Sequence, residues 1–181
     1  MNTKIYIDGF NFYYGCLKGT PFKWLNLHHL FINQILPTAG AGNINLLEQG
    51  IQFYTADISH KAAKTNSSVA DQTSYLRALS AQSQTIKVIK GDYLIKPSTA
   101  YRVEQNTNNN LKHPRESQII DIWKIEEKQS DVNLAIDIVT DALTIPNLKH
   151  IIVVTNDTDI LPAIKRVKEL TNISIGVVLP I

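Results

Sequence analysis

The chain has 181 residues, of which 44% are hydrophobic and 19% charged, and its formal net charge is +2. This length suits a single domain, and the composition excludes a disordered chain and a fibrous repeat. No apolar run approaches the ~20 residues that span a bilayer, and Asp8 interrupts the apolar stretch at the N-terminus, so we expect neither a membrane partner nor a signal peptide. The single cysteine excludes a disulfide framework, and we expect a cytoplasmic protein.

Strand and helix patterns alternate along the first half of the chain. Residues 4–8 form a short apolar run that ends in a carboxylate, which is typical of a buried strand. Helical spacing then extends over residues 25–36 and stops before Pro37. The remaining predictions are a loop at 38–45, a strand at 50–55, a helix at 67–83 and a strand at 85–89.

An irregular segment follows, over residues 96–117. It contains two prolines, an asparagine-rich run and few apolar residues, and its flanks at 91–95 and 118–126 are strand-like. These features predict a β-hairpin insertion over residues 91–126 that carries a long mobile loop at about 97–117. Six cations against two anions lie between residues 87 and 115, which is typical of a solvated loop or of a phosphate-binding surface.

The second half of the chain completes an α/β pattern. Apolar residues over 131–143 fall within one arc of a helix. A strand at 151–154, a helix at 159–170 and a strand at 174–179 follow. Alternating strands and helices imply a parallel sheet with helices on both faces. The sequence therefore predicts one three-layer α/β domain of residues 1–181, with a mainly parallel sheet and an inserted β-hairpin.

Four carboxylates are expected at one edge of this sheet. Asp8 ends the first strand, and Asp157 and Asp159 directly follow the strand at 151–154. Asp131 opens a helix that must run back from the same carboxyl edge of the strands. Each aspartate alone is typical of a helix N-cap, but capping does not explain why four converge. Like charges this close repel each other, and a hard divalent cation such as Mg²⁺ or Mn²⁺ is the usual remedy.

Asp137 is treated separately from these four. It lies six residues after Asp131, which places it about 9 Å further along the helix and roughly 240° around it. This geometry argues against both side chains binding one ion. Asp137 shares a helix face with Asp141 instead, so we expect a supporting or structural role.

Three motifs carry a resemblance to a known family. Residues 7–11 read IDGFN, residues 127–137 read EKQSDVNLAID, and residues 154–162 read VTNDTDILP. They correspond in order to an opening D-x-x-N, a middle E-K-x-x-D-V-x-L-A-x-D and a closing S-x-D-x-D-x-x-P pattern. The chain resembles the NYN family of PIN-like ribonucleases, in particular its LabA-like branch. Thr155 stands where the family has serine, and it keeps the hydroxyl group.

The resemblance implies a PIN-like, Rossmann-like domain that acts as a metal-dependent endoribonuclease on single-stranded or structured RNA. Mg²⁺ or Mn²⁺ would activate water for in-line attack and leave a 5′-phosphate and a 3′-hydroxyl. The implied metal ligands are Asp8, Asp131, Asp157 and Asp159, which with Asn11 are the expected catalytic residues. Asn156 and Thr155 are expected to support them. Expected phosphate contacts are Lys128 and, within the basic stretch of residues 87–115, Lys96, Arg102, Lys112 and Arg115.

Other classes of function remain open from the sequence. A non-catalytic RNA- or nucleotide-binding regulatory module would use the same surface without cleavage. A phosphatase of the haloacid-dehalogenase kind would use Asp8 as nucleophile, but it needs a second aspartate two residues on, where the chain has Phe10. Glycine-rich nucleotide-binding strings are absent from the sequence. A homo-oligomer is also compatible with the sequence.

Overall fold

The computed structural model describes residues 1–38, 44–63 and 65–180. The loop predicted at 38–45 therefore lies mostly outside the described residues. One six-stranded sheet has the strand order β4-β3-β2-β1-β5-β6, in which only the β3–β4 pairing is antiparallel. The strands are β1 (Asn2–Asp8), β2 (Asn45–Ala56), β3 (Ile86–Tyr101), β4 (Ile119–Lys128), β5 (Leu148–Val154) and β6 (Ser174–Val178).

The helices cover both faces of the sheet. They are α1 (Gly9–Phe12), α2 (Leu27–Leu30), α3 (Leu36–Thr38), α4 (Asn66–Ser80), α5 (Ser130–Thr144) and α6 (Leu161–Leu170). π-helical turns at Tyr13–Leu17 and Phe31–Ile35 extend α1 and α2, and 3₁₀ turns lie at Pro114–Glu116 and Thr158–Ile160. In the part of the chain that the structure describes, no helix is long and apolar enough to cross a membrane.

Successive side chains of the central strands point to opposite faces of the sheet, and each face forms a hydrophobic core. Ile5 and Ile7 of β1 face one side of the sheet, and Tyr6 between them faces the other. The first core also contains Phe12, Leu27, Phe31, Leu76 and Leu79 from the helices before β3. The second also contains Leu134, Ile138, Ile160, Ile164 and Val167 from α5, α6 and the turn before α6. The predicted three-layer α/β fold with a mainly parallel sheet is confirmed.

The largest departure from the predicted elements concerns β3. Its pairing with β2 ends at Ala56 and Gly91, yet the strand continues to Tyr101 in an antiparallel ladder with β4. Residues 97–101, expected in the mobile loop, are therefore strand, because their partners on β4 supply the hydrogen bonds. A bridge between Gln105 and Leu111 orders part of the remaining tip. We call residues 92–128 the arm.

Gly91 marks the point where the arm leaves the sheet. A Cβ atom there would lie 2.2 Å from the Lys128 carbonyl oxygen and 2.7 Å from the Ser130 hydroxyl. Only glycine lets the end of β4 and the start of α5 come this close to β3. This contact fixes where α5 begins and therefore where Asp131 lies.

Candidate functional site

Asp8 is buried at the carboxyl end of β1, with 5% of its surface exposed. Its carboxylate accepts hydrogen bonds from the Asn11 backbone N–H (3.0 Å), from the Asn11 side-chain amide and from the Thr155 hydroxyl (2.9 Å). The backbone bond also makes Asp8 the N-cap of α1. All three donors are neutral, so they orient the carboxylate without cancelling its charge. Asn11 and Thr155 therefore hold Asp8 in place at the edge of the sheet.

Thr155 links Asp8 to the loop after β5. Its hydroxyl oxygen accepts from the Asp157 backbone N–H (3.0 Å) while its proton is directed at Asp8. Asp157 in turn accepts from the Asp159 N–H (2.8 Å) and caps the 3₁₀ turn before α6. Asp159 therefore lies inside this turn, which starts three residues before α6, and the N-cap of α6 itself is Ile160, which makes no side-chain capping bond.

Asp131 lies in the first turn of α5 and is the fourth carboxylate at this edge of the sheet. We call Asp8, Asp131, Asp157 and Asp159 together the acidic edge. The N-cap of α5 is Gln129 in a left-handed conformation (φ 74°), so Asp131 lies inside the helix rather than capping it. Partial desolvation and the negative charges of Asp8, Asp157 and Asp159 raise the pKa of its carboxyl above the ordinary value. The four carboxylates from three chain segments therefore share one electrostatic environment.

This edge carries no compensating charge within the described ranges. None of the ion pairs among the described residues involves Asp8, Asp131, Asp157 or Asp159. Side chains of aspartate, glutamate, histidine and cysteine in these ranges do not form a ready cluster of three or more metal ligands. The donor chemistry still fits a hard cation, since the edge offers carboxylate oxygens in excess and no positive partner.

Glu127 is a neighbour of the edge to which the sequence assigned no role. Its pKa is raised by burial and by the charges of Asp8 and Asp131, although the Ser130 hydroxyl donates to it and lowers the pKa in part. Glu127 was visible only as part of the EKQSDV string. Its proximity to Asp8 depends on where β4 ends, which the local pattern does not reveal.

Asp137 lies below the edge, against the sheet. The Tyr54 hydroxyl donates to its carboxylate (2.8 Å), and Tyr54 is the β2 residue paired with Asp8. One turn further along α5, Asp141 accepts from Tyr6 (2.7 Å) and from the buried Lys4 ammonium (2.5 Å). The structure thus places Asp137 and Asp141 on one helix face, where they satisfy buried polar groups of β1 and β2.

Asn156 is directed away from the carboxylates. Its side-chain amide donates to the Pro180 carbonyl oxygen (3.3 Å), and the Thr155 N–H donates to the Val178 carbonyl (3.2 Å). These bonds tie the end of β6 to the loop after β5. The hydrogen bond of the Asn156 side chain thus goes to the backbone after β6 and not to one of the four carboxylates.

The expected phosphate contacts lie on the arm. Tyr101 is ten residues past Gly91, so the arm extends roughly 33 Å beyond the edge of the sheet at 3.3 Å per residue. Arg102, Lys112 and Arg115 follow the end of β3 and lie near the tip, where Lys112 pairs with Glu104 (2.9 Å). Lys128 lies at the base and pairs with Glu126 (3.0 Å). Lys96 is directly opposite Lys124.

Exposed aromatic side chains flank the acidic edge. Tyr14 lies with its ring centre 4.5 Å from that of Phe10 and 5.2 Å from that of Tyr13, and all three residues are at least 40% exposed. Partial burial, with smaller contributions from Tyr14 and Glu127, raises the pKa of Tyr93. Tyr93 therefore connects these aromatic side chains to the base of the arm and to Glu127.

Comparison with known proteins places this arrangement in a family. A family model described as the NYN domain matches residues 2–180. Over 189 aligned residues the chain is 44% identical to 6-hydroxy-3-succinoylpyridine 3-monooxygenase HspA of Pseudomonas putida. That alignment covers 99% of this chain and 60% of the relative, so the chain spans about three fifths of the relative's length. No solved structure matches. Since the family model covers nearly the whole chain, the chain belongs to the NYN domain family, a membership that supports a nuclease-type hydrolase in general.

Proposed function

We propose that the chain is a ribonuclease that hydrolyses RNA phosphodiester bonds with Mg²⁺ or Mn²⁺ at its acidic edge. One observation carries the proposal: Asp8, Asp131, Asp157 and Asp159 converge from three chain segments, and no cation of the described chain pairs with them. Repulsion among these carboxylates costs stability unless a ligand compensates it. Membership of the NYN domain family supports the nuclease class, and the D-x-x-N string resembles its LabA-like branch.

The four aspartates would hold the cation. A divalent cation held there would supply a more acidic water and would shield charge on the phosphate oxygens. Asn11 and Thr155 orient the Asp8 carboxylate through neutral hydrogen bonds, which leave its full charge for the cation. The Thr155 hydroxyl also fixes the Asp157 backbone, so one side chain sets the spacing between two of the ligands.

The exposed aromatic side chains beside the edge suit an unpaired RNA strand. Phe10, Tyr13 and Tyr14 present faces on which bases can stack without sequence preference. Because they follow Asp8 directly in the chain, a strand stacked on them has its backbone next to the acidic edge. Single-stranded RNA is therefore the substrate we expect to be cleaved first.

The test uses end-labelled single-stranded RNA with Mn²⁺, beside samples with EDTA. Wild-type protein should cleave, and Asp157→Asn should lose at least a hundredfold in rate while keeping its fold by circular dichroism. Asp71→Asn is the matched control, because Asp71 is a half-buried aspartate of α4 whose carboxylate pairs with Lys23 (3.0 Å) and not with the acidic edge. It should cleave like wild type. Cleavage that persists in EDTA, or equal loss in both variants, would contradict the proposal.

Two outcomes of this assay would favour the alternative classes. RNA that stays intact but binds in the presence of EDTA would indicate a regulatory binding module. Turnover of small phosphomonoesters with a phospho-aspartate at Asp8 would indicate a phosphatase. Both readouts come from the same protein samples, so the three classes separate in one series.

A second candidate function comes from the relative's name. Identity of 44% over 99% of the chain favours testing 6-hydroxy-3-succinoylpyridine as a substrate for monooxygenation. A monooxygenase consumes O₂ and needs an external electron donor, so an oxygen electrode with the pyridine compound and a reduced nicotinamide donor is a direct test. Substrate-dependent O₂ uptake that Asp157→Asn retains would assign that activity to groups outside the acidic edge.

A further inference from the structure

A row of side chains runs from the acidic edge along α1 and the π-helical turn that extends it. Phe10, Tyr14 and Lys18 are spaced four residues apart, so they are neighbours on one face of this helical segment. Their contacts are continuous, since the ring centres of Phe10 and Tyr14 are 4.5 Å apart and the Lys18 ammonium lies 4.8 Å from the centre of the Tyr14 ring. The row begins two residues after Asp8 and therefore leads directly away from the acidic edge.

A second pair of an aromatic ring and a lysine follows a few residues later. The Lys23 ammonium lies 5.1 Å from the centre of the Trp24 ring and also pairs with Asp71 of α4 (3.0 Å). Trp24 packs against Tyr75 of α4, with ring centres 6.2 Å apart. These contacts fix the segment against α4, while Trp24 stays 50% exposed and Phe22 61% exposed. We call Phe10, Tyr14, Lys18, Phe22, Lys23 and Trp24 together the aromatic track.

The exposed surface of residues 9–26 combines aromatic rings with positive charge. Its exposed large apolar side chains are all aromatic: Phe10, Tyr13, Tyr14, Phe22 and Trp24. The aliphatic side chains of Leu17 and Leu25 are buried or half-buried. The segment contains two lysines and no aspartate or glutamate, and both lysines lie over rings of the track. Among the ion pairs of the described residues none involves Lys18, so its charge is open to an anionic partner.

We propose that the aromatic track binds the unpaired strand of an RNA on one side of the cleaved bond, with bases on its rings and a phosphate on Lys18. Aromatic rings interleaved with cations bind single-stranded nucleic acids without sequence preference. A lysine this close to a ring lies within reach of the phosphate of a base stacked on that ring. The identity of the cleaved bond rests on the proposed nuclease function, whereas binding of the strand does not.

The length of the track sets a length requirement for the RNA. Lys18 is nine residues past Gly9, which corresponds to roughly 13 Å of helix at about 1.5 Å per residue. A stacked strand advances about 3.4 Å per nucleotide, so roughly four nucleotides lie between the acidic edge and the end of this helical segment. Bases that are paired within this distance cannot stack on the rings. RNA should therefore bind best where about four or more unpaired nucleotides adjoin the cleaved bond.

Tryptophan fluorescence tests the contact without catalysis. The chain has two tryptophans, so Trp123→Phe leaves Trp24 as the reporter on the track, and Trp24→Phe leaves Trp123 as the reporter on the arm. In EDTA, single-stranded RNA of about eight nucleotides should quench the emission of Trp24 in a saturable way and leave that of Trp123 unchanged. A blunt duplex of the same length should quench neither, because its bases are paired and stacked on each other. Trp24 emission that does not respond to the single strand, or that responds equally to the duplex, would overturn the proposal.

Substitution of Trp24 tests how much affinity the track supplies. By fluorescence anisotropy of a labelled single strand in EDTA, Trp24→Ala should bind roughly fivefold more weakly or worse, which is the effect of losing one stacked base. Trp24→Phe keeps a ring against Tyr75 and should retain most of the affinity, which separates loss of stacking from loss of the fold. Leu170→Ala is the matched control, since Leu170 is 53% exposed at the end of α6, and it should bind like wild type. Equal affinity of Trp24→Ala and wild type would contradict the proposal.

The salt dependence of binding tests the phosphate contact. In Lys18→Gln the slope of log affinity against log salt concentration should become shallower by about 0.7, the value for one phosphate contact to a single strand. Lys149→Gln is the matched control, because Lys149 is exposed on β5 at the opposite edge of the sheet, and it should keep the wild-type slope. An unchanged slope in Lys18→Gln would show that no phosphate binds there.

Failure of the track and failure of the proposed function give different results. Quenching of Trp24 by single-stranded RNA that the protein never cleaves, with or without Mn²⁺, would keep the track and overturn only the nuclease. Metal-dependent cleavage that Trp24→Ala retains in full, with unchanged affinity for RNA, would keep the nuclease and overturn the track.

Discussion

The hydroxyl of Thr155 makes three contacts at the acidic edge. It donates to Asp8 (2.9 Å), accepts from the Asp157 N–H (3.0 Å) and lies 3.3 Å from the Asn11 amide. Thr155→Val keeps the shape and removes all three contacts, so we expect cleavage to fall by ten- to a hundredfold and the free energy of unfolding to drop by about 1–3 kcal/mol. Urea titration and the RNA assay measure both. Thr155→Ser restores the hydroxyl and should match wild type; a similar loss in Thr155→Ser would assign the effect to packing.

Asp131 is the residue where stability and function should oppose each other. Its raised pKa means that the ionised carboxyl is disfavoured in the folded chain, by desolvation and by Asp8, Asp157 and Asp159. In EDTA at neutral pH, Asp131→Asn should therefore unfold at a higher urea concentration than wild type. With Mn²⁺ the order should reverse, since wild type, with all four aspartates, gains more from the cation. If Asp131→Asn is destabilised without metal, the repulsion inferred here is wrong.

Asp137→Asn should be less stable than wild type in both conditions. It replaces a charged acceptor of the Tyr54 hydroxyl (2.8 Å) with a neutral one, so we expect a lower free energy of unfolding with or without metal, by about 1 kcal/mol, the difference between the two kinds of bond. Mn²⁺ affinity by isothermal titration calorimetry should fall less than in Asp131→Asn. Equal loss of affinity in both variants, with the fold intact, would contradict the placement of Asp137 on the buried helix face.

At the scale of elements, the turn from β1 into α1 positions Asp8. A Cβ atom on Gly9 would lie 2.6 Å from the Tyr54 carbonyl oxygen and 2.7 Å from the Phe53 ring, both on the neighbouring strand. Gly9→Ala should therefore displace α1 from β2 and destabilise the chain by about 1–3 kcal/mol, as overpacking does. Gly176→Ala is the control, because its Cβ would meet its nearest neighbour at an ordinary 3.7 Å. Equal thermal melting temperatures for the two variants would show that the turn adapts.

Elements that depend on local pattern were predicted well from the sequence, and elements that depend on distant partners were not. The buried strands and α5 show clear apolar periods, and the rule that parallel strands end at one edge placed Asp8, Asp131 and Asp157 together. The outer part of β3 contains Pro97 and lacks such a period, so only its pairing with β4 makes it a strand. Glu127 and the direction of the Asn156 amide depend on where β4 and β6 end, which no local pattern encodes.

At the scale of the whole molecule, His150 makes the stability of the fold depend on pH. It is 6% exposed on β5, and burial, followed by the charge of the N-terminal amino group, lowers its pKa. The folded chain thus binds a proton at His150 less readily than the unfolded chain, whose histidines titrate near pH ~6.5. The contribution of His150 to the free energy of unfolding is therefore complete above the pKa of the unfolded chain. It is lost as the pH falls from that value toward the lower pKa that His150 has in the folded chain.

Comparison with His150→Gln isolates this contribution from that of the acidic edge. The raised pKa values of Glu127 and Asp131 act in the opposite direction, since protonation on acidification relieves their repulsion, but both proteins share them. Between pH 8 and pH 5.5, wild type should therefore lose more of its free energy of unfolding than His150→Gln, measured by urea titration in EDTA. A difference between the two proteins that stays constant over this range would mean that His150 titrates alike in the folded and unfolded chain. The pH dependence would then belong to the carboxylates alone.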